Sequence, residues 1–241
     1  MTSEPLVRLE SGSASGNREA PFVDIRTVPA NDLHSTGVAL KVSPYLHSRT
    51  KRGLDITFAL SLLLFFAPLF LLIALVVVSS SRGGVFFRQA RGGRSGAPFR
   101  IVKFRSMRAQ PVDAAVVQAR RRDPRVTRVG RVLRATSTDE LPQLINVLRG
   151  DMSMVGPRPH AIDHDRYYAA MVDGYTRRFA ARPGITGLAQ TSGCRGETTT
   201  HDAMQQRVDA DLAYIANASF SGDMVILART AINLLVDRNV Y

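Results

Sequence analysis

The chain has 241 residues, 45% of them hydrophobic, which suits one domain of ordinary size with a tail. Its formal net charge is +12; five basic and five acidic groups cancel within residues 1–50, so the whole excess lies from Lys51 onward and points to an anionic partner there. The lone cysteine, Cys194, excludes an internal disulfide framework, and the lack of tryptophan excludes a tryptophan belt at a membrane interface.

Residues 1–46 mix Ser, Gly, Pro, Asn and charges without a sustained period and read as a disordered or loosely held tail; residues 47–241 are the expected folded domain. No apolar run follows the initiator closely enough to form a cleavable signal. From Ile56 to Val78 the chain runs 23 residues without a charge, inside a predicted membrane helix over 54–79. Such a run is about 35 Å long as a helix, against a hydrocarbon core of about 30 Å. Pro68 sits in its middle and predicts a kink. Both flanks are basic, with Arg49, Lys51 and Arg52 before and Arg82, Arg88, Arg91 and Arg94 after, so both ends look cytoplasmic and the positive-inside rule assigns no orientation to a span. A helix that bends at Pro68 and returns satisfies both flanks. The expectation is a re-entrant membrane helix hairpin rather than a span.

Two short β-branched and aromatic runs, Val85–Gln89 and Phe99–Phe104, flank a Gly-rich loop and predict a small β-hairpin. The glycines lack the Lys-Ser/Thr ending of a P-loop. Lys103, in the second run, is the only lysine after Lys51 in a chain that otherwise uses arginine. Arg122, Arg125, Arg128, Arg131 and Arg134 follow at steps of three. With Val126, Val129, Val132 and Leu133, they predict a basic amphipathic helix beyond Pro124 that suits anionic lipid headgroups. No aromatic residue interleaves these arginines, which argues against nucleic acid as the partner. Met204–Ile215 has helical spacing, with Val208, Leu212 and Ile215 on one side; Met224–Val236 is too short to span and reads as a core or interfacial helix. The fold class is therefore α+β and mainly helical, with cytoplasmic amphipathic helices around the hairpins.

The stretch "RATSTDELPQLINVLRGDMSMVGPRP" places Asp139 and Glu140 at a helix start. One reading is a capping box with Ser137 as N-cap and Glu140 at N3; another makes Asp139 the N-cap, which moves Pro142 to N3, where no donor is needed. The pair also has the makings of a reaction centre. A helix start favours an ionised Asp139 and a phosphate beside it, and an ionised aspartate can attack phosphorus. Glu140 can hold Mg²⁺, while Arg134 and Arg158 can neutralise phosphate charge. Capping alone and chemistry both remain open on local pattern.

The segments "KFRSM" (103–107), "DPRVTRVGRVLRATSTDELPQLINVLRGDMSMVGPRP" (123–159) and "RPGITGLAQTSGCRGET" (182–198) closely resemble the bacterial sugar transferase family, the monotopic polyprenyl-phosphate phosphoglycosyltransferases. The resemblance covers about Lys51 to Tyr241. It implies that Asp139 is the nucleophile on the β-phosphate of a UDP-sugar, that UMP leaves, and that undecaprenyl phosphate takes the hexose-1-phosphate to begin exopolysaccharide synthesis. It implies Glu140 as the Mg²⁺ ligand, Lys103, Arg134 and Arg158 as phosphate or nucleotide contacts, and the cytoplasmic face of the bacterial inner membrane as the location. It assigns glucose or galactose as the hexose and leaves a homo-oligomer open. Leu188 stands where the family often has Trp, and Thr138 where it has Leu; neither change removes a reacting group. His160 and His164 are four apart but lack the Glu of the zinc-protease motif and a third ligand, and read as a polar helix face. Cys194 has no partner histidine in sequence and is no candidate nucleophile. The rival to an enzyme is a non-catalytic, membrane-tethered basic assembly or binding protein whose acid pair only caps a helix.

Overall fold

The computed structural model describes residues 40–80, 83–108, 123–194 and 200–236. Most of the predicted tail, Arg82, Arg122 and the end of the 182–198 stretch lie outside these. The last residues before the domain are docked: Ser43 donates from its backbone to Ile215 O at 3.0 Å and from Oγ to Ala218 O at 2.6 Å, and Leu46 is buried.

Ser48 Oγ accepts from Lys51 N and starts α1 (Arg49–Phe65). The chain breaks at Phe66 and continues as α2 (Ala67–Ser80), bent by 65°. Pro68 has no N–H to give the carbonyl of Leu64, and its ring crowds that carbonyl, so the break falls just ahead of the proline, which then sits in the first turn of α2. Among the described residues no single helix is long and apolar enough to cross a membrane; α1 and α2 form one bent apolar pair. Both outer ends of the pair rest on the same body. Leu54 and Ala59 of α1 are buried on one side of it, and Ile73 and Val77 of α2 pack with Phe104 and Leu133 on another. Leu64 and Phe65, at the break, are 68% and 75% exposed.

The hairpin forms as predicted: β1 (Phe86–Gly92) pairs antiparallel with β2 (Pro98–Phe104), setting Phe87 opposite Lys103. The outer edge of β2 is closed by one side chain. Fully buried Asn146 accepts from Val102 N at 2.9 Å and donates to Arg100 O at 2.8 Å, standing in for a third strand. Asn146→Ala would leave the buried Val102 N–H, and the partly buried Arg100 C=O, without this partner. The expected loss is about 2–4 kcal/mol, read as a lowered denaturation midpoint; a midpoint within 1 °C of the parent would contradict it.

The predicted basic helix is shorter than its pattern. Arg125 folds back on Asp123 at 2.8 Å, and Thr127 Oγ1 caps α3 (Arg128–Ala135) by accepting from Gly130 N. The five arginines therefore do not share one helical stripe; Arg128, Arg131 and Arg134 do. Gly130 lets α3 lie directly on the Ser106 backbone, where a Cβ would come within 1.8 Å of Ser106 O.

After α4 (Gln143–Arg149), β3 (Ser153–Val155) pairs parallel with β4 (Gly184–Thr186), and α5 (Ile162–Met171) and a 3₁₀ turn (Tyr175–Ala180) lie between them. This second sheet was not expected, because strands of three residues are too short to display an alternating pattern. α6 (Leu188–Thr191), α7 (His201–Asn217) and α8 (Phe220–Val236) complete the fold. On α7, Val208 and Ile215 are buried and Leu212 is half-buried, as the spacing predicts. The mainly helical α+β class holds, with two small sheets.

One internal feature was not read from the sequence. Lys51 Nζ lies 2.7 Å from Asp223 Oδ2, 3.3 Å from Asp55 Oδ1 and 3.1 Å from Val155 O. Asp55 Oδ1 also accepts from Ser153 Oγ and Met154 N, while Tyr45 and Tyr214 donate to Asp223. Asp55 falls inside the predicted membrane stretch 54–79, yet it is fully buried in protein. The first turns of α1 are thereby pinned to β3 and α8.

Candidate active site

The acid pair occupies a sharp reversal. α3 ends, Ser137 takes the left-handed conformation (φ 55°), and Thr138–Glu140 form a 3₁₀ turn before α4 begins at Gln143. A non-glycine residue in that conformation costs about 1–2 kcal/mol, a strain found where geometry matters more than local preference. Neither predicted cap register is realised: neither the 3₁₀ turn nor α4 has a side-chain cap bond. The reason is that backbone carbonyls already take the N–H groups a cap would serve. Glu140 N donates to Ser137 O, Leu141 N to Thr138 O, Leu144 N to Leu141 O and Ile145 N to Pro142 O. The pair therefore does not act as a helix cap.

Around the pair the fold collects the basic residues singled out by the sequence. Lys103, from β2, sets Nζ 2.6 Å from Glu140 Oε1. Arg158, from the loop after β3, places Nη2 at 2.8 Å from the same oxygen and Nη1 at 3.4 Å from Oε2. Burial alone would raise the Glu140 carboxyl, but Arg158 and Lys103 outweigh it and hold it well below the usual carboxylate range. Asp139 is buried, and among the described residues its carboxylate accepts no hydrogen bond. Burial first, then the charge of Glu140, push it up to about 6, against the pull of Lys103, Arg134 and Arg158. Near neutral pH it is ionised but uncommitted. The two neighbours thus differ: Glu140 is paired with two cations, and Asp139, among the described residues, is paired with none. Lys103, from β2, and Arg158, from the loop after β3, meet the acid pair of the 3₁₀ turn here; Arg134, from α3, acts on Asp139 by its charge, with its Nη1 3.7 Å from Met107 Sδ.

Other members were not foreseen. Asn146 fixes β2, and so Lys103, against α4. Arg91 is half-buried, donates to Gln89 Oε1 at 2.6 Å, and is lowered to about 10 by desolvation and by Arg158. Arg178 sits behind Arg158, with buried Asp211 as its partner at 2.7 Å. A buried Asn or Arg carries no local signature, so no pattern pointed to them. His160 is not on a helix face: it is buried ahead of α5 with Nδ1 2.6 Å from Tyr175 Oη, and burial and then Arg178 hold it well below the usual histidine range. Among the described residues no three His, Cys, Asp or Glu groups gather as a metal cage.

Residues 46–237 match the family described as bacterial sugar transferase. Over 191 residues the chain is 54% identical to the UDP-glucose:undecaprenyl-phosphate glucose-1-phosphate transferase of Caulobacter vibrioides, covering 79% of this chain and 72% of that one. The Escherichia coli protein of the same name is 49% identical over 191 residues, 79% of this chain and 41% of the relative. The UDP-N-acetylgalactosamine-undecaprenyl-phosphate N-acetylgalactosaminephosphotransferase of Aeromonas hydrophila is 36% identical over 208 residues, 86% of this chain and 49% of the relative. The chain spans less than half the length of these last two.

Proposed function

This chain belongs to the bacterial sugar transferase family, and from that premise we propose that it is a phosphoglycosyltransferase moving glucose-1-phosphate from UDP-glucose to undecaprenyl phosphate, the first step of an exopolysaccharide. The observation that carries the reading is the uncommitted Asp139 carboxylate beside a Glu140 clamped by Lys103 and Arg158. An Asp139 oxygen attacks the β-phosphorus, the bond from that phosphorus to the bridging oxygen breaks, and UMP leaves with that oxygen. An oxygen of undecaprenyl phosphate then attacks the same phosphorus, the bond to Asp139 breaks, and the carboxylate is restored. Lys103, Arg134 and Arg158 offset the phosphate charge that would otherwise repel the nucleophile. The relatives' names favour glucose over galactose or an N-acetylated sugar. The test is UMP release from detergent-solubilised protein with Mg²⁺, undecaprenyl phosphate and a panel of UDP-sugars. Release is expected with UDP-glucose first, and silence across the panel would sink the proposal.

The donor set suits Mg²⁺ carried in on the diphosphate rather than held in a protein cage. Glu140 Oε1 is taken by two cations, whereas Oε2 has a 3.4 Å contact with Arg158 and retains a lone pair for a metal. Mg²⁺ there would neutralise diphosphate charge. Chelation by EDTA is expected to stop UMP release and Mg²⁺ to restore it, with the folded protein's melting point unchanged. Release that persists in EDTA would exclude the ion.

A polyprenyl acceptor and a UDP-sugar donor support a reaction at the cytoplasmic face of the bacterial inner membrane. The bent pair supports this: α1 and α2 have both outer ends on one body and an exposed apolar break between them. A re-entrant arrangement predicts that Thr50→Cys and Gly84→Cys, each in a Cys194→Ser background, react with a water-soluble maleimide from the same side. Reaction from opposite sides would show a span instead.

A further inference from the structure

Arg158 acts through its side chain, but its placement depends on the backbone of a loop with no regular structure, residues 156–161. The base of the loop is held by β3 and β4, where Gly156 N donates to Thr186 O and Gly184 N to Pro157 O. A Cβ on Gly184 would lie 2.1 Å from Gly156 N, so the two backbones touch there. Beyond that base, Arg158 O is held by a side chain: Arg178 Nη2 donates to it at 2.8 Å. Arg178 has no freedom to be elsewhere. Its Nε lies 2.7 Å from Asp211 Oδ2 on α7, its Nη1 lies 3.2 Å from His160 Nδ1, and its guanidinium sits 5.0 Å from the centre of the Tyr175 ring. Tyr175 Oη in turn donates to Asp165 Oδ1 at 2.7 Å. Both partners of the ion pair are buried, and burial alone would lower Arg178, but Asp211 outweighs it and keeps the guanidinium charged.

We propose that Arg178, anchored by Asp211, is a positioning residue that aims the Arg158 guanidinium at Glu140 and the substrate diphosphate by fixing the Arg158 carbonyl. The inference rests on the phosphoglycosyltransferase reading of the site. Arg178 touches neither acid, so its influence runs through one backbone group. Only a fork of donors in a plane can serve Asp211, His160 and the carbonyl at once, which is why lysine cannot replace it.

Two variants test the clamp. Asp211→Asn keeps the shape and removes the charge that anchors Arg178; Arg178→Lys keeps the charge and removes the fork. Each is expected to lower kcat for UMP release about 10- to 100-fold, with KM for the UDP-sugar changing much less, because a displacement near 1 Å costs the transition state more than the bound substrate. In an Arg158→Gln background the same substitutions are expected to add almost nothing, since the residue being aimed is gone. Losses that multiply fully with Arg158→Gln, or that follow only the fraction of unfolded protein, would overturn the proposal. A crystal structure of Asp211→Asn reads the clamp without turnover, separating its failure from failure of the proposed reaction. The Arg158–Glu140 pair is expected to open beyond 4 Å; an unchanged pair would refute the positioning role even if the enzyme is active.

Discussion

Asp139→Asn is expected to lower UMP release by about 10³-fold or more, and to leave no sugar phosphate on the protein after incubation with radiolabelled UDP-glucose. The amide has nearly the shape of the carboxylate but no charge with which to attack phosphorus. Glu140→Gln should behave differently: it frees Lys103 and Arg158 from their shared oxygen and slows the reaction, yet label still accumulates on Asp139. Label retained by Asp139→Asn would remove Asp139 from the nucleophile's place. A stability signature should accompany the loss. Burial and Glu140 raise Asp139 from an ordinary 3.8 to about 6, so the fold prefers its neutral form. That preference favours the fold below the ordinary value and is lost as pH rises through about 6. At pH 8 the asparagine variant is therefore expected to melt above the parent, while at pH 4 the two should nearly coincide. A catalytic carboxylate kept at the expense of stability is a common feature of reaction centres.

Lys51→Met is expected to have the largest effect on stability. It removes the cation between Asp55 and Asp223, whose side chains are 0% exposed, and leaves two carboxylates facing each other in the interior. Breaking a buried ion pair from one side costs about 3–5 kcal/mol, a large fraction of the roughly 5–15 kcal/mol that stabilises an ordinary domain. The loss should be largely repaired in the triple variant Lys51→Met, Asp55→Asn, Asp223→Asn. The amide at 55 still accepts from Ser153 and Met154, which share Oδ1, and the amide at 223 accepts from one of Tyr45 and Tyr214 and donates to the other hydroxyl, so no unmatched charge remains. Denaturation midpoints of the single and triple variants in detergent check this. A single variant within 1 kcal/mol of the parent would show that the network is not closed to water.

How far each of these could be foreseen differs from residue to residue. The hairpin was legible because Val85–Gln89 and Phe99–Phe104 are β-branched or aromatic and separated by glycines. α7 was legible because Val208, Leu212 and Ile215 repeat at the helical period. The bend was legible from Pro68, although it falls at Phe66, because proline disrupts the turn before itself. Lys51 and Asp55 do stand four apart, a spacing that announces a pair on a helix, but their third member lies 168 residues further on from Asp55 and no spacing joins them. The cap registers failed for a related reason: Ser137 and Pro142 were weighed as local signals, whereas the reversal at Ser137 is held by α3 and α4 packing on their own partners.

The sequence by itself determined the inventory: a basic domain with one long uncharged run, a paired acid next to a proline, and a motif specific enough to identify the family. These are properties of neighbouring residues, and neighbours are what a linear chain records. Only the tertiary structure decided that Asp139 is uncommitted while Glu140 is clamped, that one asparagine closes the edge carrying Lys103, and that Arg178 holds the carbonyl of Arg158. Each of those depends on distances across segments far apart in the chain, and on burial that turns a hydrogen bond or a charge from a weak surface contact into a decisive one.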